Sequence, residues 1–112
     1  MPMDRDYDKP EPARDEVDRW PGVTVLEFGA SWCGYCRAAQ PAISAALEGF
    51  PDVRHVKVGD GPGKPLGRSY RVKLWPTLIF LRDGREVARA VRPEGVDEIR
   101  DGLEAAAGAA GG

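Results

Sequence analysis

Val23-Thr-Val-Leu-Glu-Phe-Gly29 runs through Ala30-Ser31 into Trp32-Cys33-Gly34-Tyr35-Cys36, so an apolar segment ends beside the only two cysteines of the chain. The first seven residues are β-branched or apolar apart from Glu27, the pattern of a short central strand buried on both faces. The segment that follows puts two sulfurs one helical turn apart, close enough to bond without large backbone movement. Cys33 falls at a loop-to-helix junction. Unpaired backbone N–H groups and the positive end of the helix dipole favour its thiolate there. An opening and closing dithiol is the chemistry this spacing suits.

Outward from that pair, Arg37 to Phe50 reads as a helix with Ala39, Ile43, Leu47 and Phe50 on one stripe, ended by Gly49 and Pro51. Pro41 inside it removes one backbone hydrogen bond and predicts a kink. Val53 to Val58 is a second strand, with Val56 and Val58 on one face and His55 and Lys57 on the other; His55 is expected on a half-exposed surface. Strand, helix and strand at this spacing predict a right-handed parallel crossover. The Gly- and Pro-rich stretch from Gly59 to Gly67 is a loop entering a short helix near Leu66–Tyr70. Leu78 to Leu81 is a third strand, and Asp83-Gly84 turns it into an antiparallel partner over Glu86 to Val91. Pro93 to Ala107 reads as a closing helix. Upstream, Ala13 to Trp20 suits a short amphipathic helix stopped by Pro21-Gly22. The organisation predicted is a flexible arm over residues 1–12 with at most a short strand near Tyr7, an α/β domain over 13–107, and a disordered tail over 108–112. That domain is βαβ then ββα around one mixed sheet.

A chain of 112 residues supports one domain with one core. Its net charge of −2, with 12 Arg and 4 Lys interleaved among acids, leaves no basic excess for phosphates and argues against a nucleic-acid partner. No apolar run approaches the ~18–20 residues of a membrane span, and the amino terminus has no apolar signal region. A cytoplasmic monomer is the expectation, where a paired C-x-x-C is catalytic or metal-binding more often than structural. Zinc is short of ligands, since His55 is the only nitrogen donor of that kind outside the cysteines. A structural disulfide across two residues constrains the unfolded chain little.

Val25-Leu-Glu-Phe-Gly-Ala-Ser-Trp-Cys-Gly-Tyr-Cys36, with Pro41, Trp75-Pro76-Thr77 after Tyr70-x-Val72, and Phe80-x-x-Asp83-Gly84, closely resembles the thioredoxin family in order and spacing, from about Val17 to Leu103. The resemblance implies a thioredoxin-like fold. It also implies that Cys33 attacks a partner disulfide and Cys36 resolves the mixed disulfide. The helix geometry agrees: Cys33 sits at the exposed start, and Cys36 one turn in. Glu27 stands where the family usually has a buried Asp that exchanges a proton with the resolving cysteine. Burial raises such a carboxyl's pKa, and Lys57, at the place of a family lysine, would lower it again. A plain salt bridge is the alternative for this pair. Pro76 stands where the family has a cis peptide bond facing the cysteines. With Trp32, Gly34, Tyr35 and Trp75 it is expected to form the partner-binding surface, the backbone at Trp75 pairing with an extended peptide.

Departures from the family pattern are informative. Gly-Tyr between the cysteines, where Gly-Pro is usual, suggests a less reducing poise. Trp75 replaces a small aliphatic, and Gly29 replaces an aromatic common just after the central strand; Trp75 is expected to fill the space Gly29 leaves. The sequence thus points to a thiol-disulfide oxidoreductase with no bound cofactor and no metal. It would act on disulfide-containing proteins or small disulfides, recharged by an external reductase or thiol pool. The alternatives are a disulfide isomerase or oxidant, and a redox-switched binding module.

Overall fold

The computed structural model describes residues 3–109. In chain order the elements are α1 (Arg14–Val17), β1 (Val23–Gly29), α2 (Gly34–Glu48), β2 (Arg54–Gly59), α3 (Pro65–Ser69), β3 (Thr77–Arg82), β4 (Arg85–Val91) and α4 (Val96–Gly108). They form a four-stranded sheet in the order β2-β1-β3-β4. β1 pairs parallel with β2 and antiparallel with β3, and β3 pairs antiparallel with β4. This is the expected mixed sheet, βαβ followed by ββα. The hairpin turn puts Asp83 at φ 51° and Gly84 at φ 81°, the double left-handed conformation that a two-residue hairpin needs and that Asp-Gly adopts readily.

Alternation along β1 sorts the core into two layers. Val25 packs with Ala39, Ile43, Leu78, Phe80, Ile99 and Leu103 beneath α2 and α4. Leu26 and Phe28 pack on the other side with Val17, Val58, Leu66, Ile79 and Leu81. Helix boundaries differ from the periodicity in explicable ways. α2 starts three residues earlier than Arg37, because Cys33 is its N-cap and accepts from Cys36 N–H through its sulfur. It runs unbroken through Pro41 to Glu48. α1 ends at Val17, as Arg19 and Trp20 N–H turn back to carbonyls three residues earlier. α4 begins at Val96 and not at Pro93, with extended Gly95 as its N-cap, and reaches Gly108. Residues 110–112 of the expected tail lie outside the described residues.

The amino-terminal arm is the main correction. It was expected to hang loosely, with a short strand near Tyr7; its described residues form neither helix nor strand, yet Tyr7 is buried. β2 is one edge of the sheet, and the arm covers it with side chains instead of a ladder. Asp4 Oδ2 accepts from Lys57 N–H at 2.9 Å, and Lys9 Nζ donates to Lys57 O at 3.0 Å. An open edge is thereby closed without a fifth strand.

Candidate active site

The sulfurs sit where β1 hands the chain to α2. Both cysteines are free thiols in this structure. Cys33 was expected at an exposed position; it retains only 8% of its surface, and Cys36 retains none. Both pack with Tyr7, Ala30 and Trp75 in a small cluster of their own. Burial opposes ionisation of Cys33. Hydrogen bonds from the Cys36 thiol and from the Cys36 and Tyr35 backbone N–H groups, with the Arg92 charge, outweigh it and hold the thiol below its ordinary value. Cys36 goes the other way: burial, then the neighbouring Cys33 sulfur, push it up to about 12. One thiol is prepared as a nucleophile and the other is kept protonated.

Glu27 lies fully buried on the α2-facing side of β1. His55 Nε2 is 2.7 Å from its Oε1, and Gln40 Nε2 donates to its Oε2 at 2.9 Å. The Tyr7 hydroxyl donates a short hydrogen bond to the same Oε2. Burial alone would raise this carboxyl, as expected from sequence. The bonds from His55, Tyr7 and Gln40 reverse the sign and hold it below the ordinary carboxylate value. Lys57 is opposite Glu27 in strand register. The expectation that it approaches the carboxylate is not met: its ammonium lies over the Tyr7 ring, 4.6 Å from the centroid. His55, expected half-exposed, is buried because the arm lies across it, with Asp4 N–H donating to Nδ1 at 3.0 Å. Since Nδ1 accepts that bond, the ring hydrogen is on Nε2 and is given to Glu27.

The outer rim holds the other residues singled out in the sequence. Trp32 is 71% exposed and Tyr35 61%. Trp75 packs edge-on against Trp32, with ring centroids 5.5 Å apart, and its indole N–H donates to Asp60 Oδ2 at 2.9 Å. The Trp75–Pro76 peptide bond is cis. Trp75 does not fill the space above Gly29. A side chain there would begin 2.5 Å from Cys36 Sγ and 3.1 Å from the Tyr7 hydroxyl, so the sulfur and the arm's tyrosine occupy it. Arg92, unremarked in the sequence, donates through Nε to Trp75 O at 2.9 Å and lays its guanidinium 4.0 Å from the Tyr35 ring centroid. A peptide pairing at Trp75 therefore shares that carbonyl with Arg92.

Of the residues missed, two had a signal. Gln40 is four residues after Cys36, on the same helix face, and donates to Cys36 O at 2.8 Å. His55 is two residues from Lys57, on the strand face that Glu27 also uses. Tyr7 and Arg92 reach the site from irregular segments, where no periodicity operates. Among the described residues no cluster of metal-ligating side chains forms.

A family model described as Thioredoxin matches residues 10–105. Thioredoxin 2 of Pseudomonas aeruginosa, solved in its reduced form, superposes with a TM-score of 0.83 at 53% identity, over 95% of this chain and 98% of that one. An H-type thioredoxin of Fagopyrum esculentum is 39% identical over 69 residues, 62% of this chain and 60% of the relative. A thioredoxin of Chlamydia trachomatis is 33% identical over 78 residues, 70% of this chain and 76% of the relative. The chain thus spans about 60% of the length of the plant relatives it matches.

Proposed function

This chain belongs to the thioredoxin family, and from that premise we propose that it is a thiol-disulfide oxidoreductase working through Cys33 and Cys36. The observation that carries the reading is the opposed tuning of two adjacent thiols, one lowered at a helix N-cap and one raised by burial. Cys33 thiolate attacks a disulfide sulfur of the partner and releases the first thiolate. Cys36 then attacks Cys33 Sγ, closing the Cys33–Cys36 bond and freeing the reduced partner. The two electrons stay on sulfur throughout, so no bound cofactor is invoked.

Partners in this reading are disulfide-containing proteins or small disulfides, held against Trp32, Gly34, Tyr35, Trp75 and Pro76. The exposure of Trp32 and Tyr35 beside a nearly covered Cys33 supports that surface. An external reductase or a thiol pool would return the protein to the dithiol. Glu27 serves as proton acceptor for Cys36, in a form the sequence did not suggest. It is an ionised acceptor held by hydrogen-bond donors and is not an elevated base. Lys57 acts on it only at one remove, through the Tyr7 ring. We place the activity in the cytoplasm, supported by a chain whose only cysteines are the exchange pair, and take the working unit to be a monomer. Among the described residues no helix is long and apolar enough to cross a membrane.

Reduction of insulin disulfides with a dithiol reductant tests the activity. The expected result is turnover well above the reductant alone, lost on Cys33→Ser; background turnover by the parent chain overturns the reading.

A further inference from the structure

We propose that the Tyr7 hydroxyl, supplied by the amino-terminal arm, is the proton conduit between Cys36 and Glu27. The inference rests on the oxidoreductase reading above. Cys36 has no exposed surface, so bulk water cannot take its proton while the mixed disulfide is being resolved. The Tyr7 hydroxyl donates to Glu27 Oε2 on one side, and on the other it lies beside the Cys36 sulfur, both packed into the space over Gly29. Among the described residues Glu27 makes no hydrogen bond to Cys36 itself, so Tyr7 is the atom between them. The two groups can meet only because β1 ends in Gly29, where any side chain would collide with the sulfur and the hydroxyl together.

The surroundings fix the direction of travel. From β2, His55 occupies Glu27 Oε1, its ring orientation locked by Asp4 N–H from the arm. From α2, Gln40 donates to Oε2 and to Cys36 O. The Lys57 ammonium lies on the Tyr7 ring and not on the carboxylate. Burial, then the Glu27 charge, push the Tyr7 phenol upward. The phenol therefore does not serve as a resting anion. It accepts one proton as it gives up another.

In the resolving step the Cys36 S–H proton moves to the Tyr7 oxygen, and the Tyr7 proton moves to Glu27 Oε2. The Cys36 electron pair forms the Cys33–Cys36 bond, the bond from Cys33 to the partner sulfur breaks, and the partner thiolate takes a proton from water. When an external dithiol reopens the disulfide, Cys36 leaves as thiolate and recovers its proton from Glu27 by the same route.

Single-turnover reaction of the reduced full-length protein with 5,5′-dithiobis(2-nitrobenzoate) separates the steps. The first coloured thiolate reports attack by Cys33, and the second reports resolution by Cys36. Tyr7→Phe keeps the ring that packs against Gly29 and carries Lys57. We expect it to leave the first phase unchanged and to slow the second by about 100-fold or more, in the range of positioned acid–base groups. The second phase of the parent should be flat from about pH 6 to about pH 8, and that of the variant should rise about tenfold per pH unit, as bulk base takes over. Glu27→Gln should reproduce that slope, and the double variant should be no slower than the slower single one. An unchanged second phase or slope in Tyr7→Phe, or losses that multiply in the double variant, overturn the conduit. If Tyr7→Phe disturbs the first phase as well, Glu27→Gln decides: an unchanged slope there also overturns it. A parent that never releases the second thiolate contradicts the oxidoreductase reading instead.

Discussion

The two faces of β1 are made from alternate residues of one seven-residue strand, and they have opposite chemistry. Leu26 and Phe28 enter a mainly apolar layer with Ile79, Leu81 and Val58, whose buried oxygens are the Thr24 and Tyr70 hydroxyls. Val25, Glu27 and Gly29 face α2. There only Val25 joins the apolar core; Glu27 meets three hydrogen-bond donors, and Gly29 leaves room for a thiol and a phenol. Adjacent peptide units thus hold stability on one side and reactivity on the other. A buried carboxylate is tolerable only when its oxygens are satisfied, and here a second strand, a helix and the arm each contribute a partner.

If the division is real, substitutions on the two faces separate in what they change. The largest effect belongs to the reactive face. Cys36→Ser should drop turnover to the level of reductant alone and accumulate a partner disulfide-linked to Cys33, visible by mass spectrometry, while the unfolding midpoint moves little. A large loss of stability would break the comparison. Next comes the apolar face, where Phe28→Ala should cost about 3–5 kcal/mol in denaturant unfolding. The order of reactivity of the two thiols should survive in the folded fraction. Third, at neutral pH iodoacetamide should label Cys33 at least about tenfold faster than Cys36, since the thiolate is the nucleophile and Cys36 is raised to about 12. Equal rates would remove the asymmetry.

The smallest effect is on acid stability. Glu27 is lowered in the folded chain, so its stabilising contribution is complete above the ordinary carboxylate pKa. It is lost as pH falls through the folded value. Glu27→Gln should therefore flatten the acid limb of a stability–pH curve and leave its shape near neutrality alone. A steeper acid limb would reverse the sign.

Regular structure was legible because its signals are local. A continuous β-branched and apolar run gave β1 its full extent, Asp83-Gly84 gave the hairpin, and the apolar stripe gave most of α2. The stripe missed the first turn of α2 because Gly34 and Tyr35 face solvent and Cys33 itself caps the helix. The site was legible where chemistry and spacing coincide, at the cysteines, Glu27 and Pro76. It was not legible where the arm intervenes. His55 was assigned to the right strand face and the wrong environment, since exposure of that face depends on whether residues 4–9 lie across it. Lys57 was displaced from Glu27 by the same segment, which brings Tyr7 between them. The void at Gly29 could be seen in the sequence, but its occupant arrives from 22 positions upstream, a distance over which no pattern in a polar arm carries information.

The arm also decides how the protein should be handled. Asp4 and Tyr7 touch the reactive network directly, so an affinity tag or fluorophore hung on the amino end pulls on the redox centre. The carboxyl end is different. Ala107 of α4 accepts from Arg82 at the far end of β3, the strand that starts beside the cysteines at Thr77 and points away from them. A handle placed there sits at the opposite pole of the sheet, and electrode or surface attachment through that end leaves the thiols facing outward.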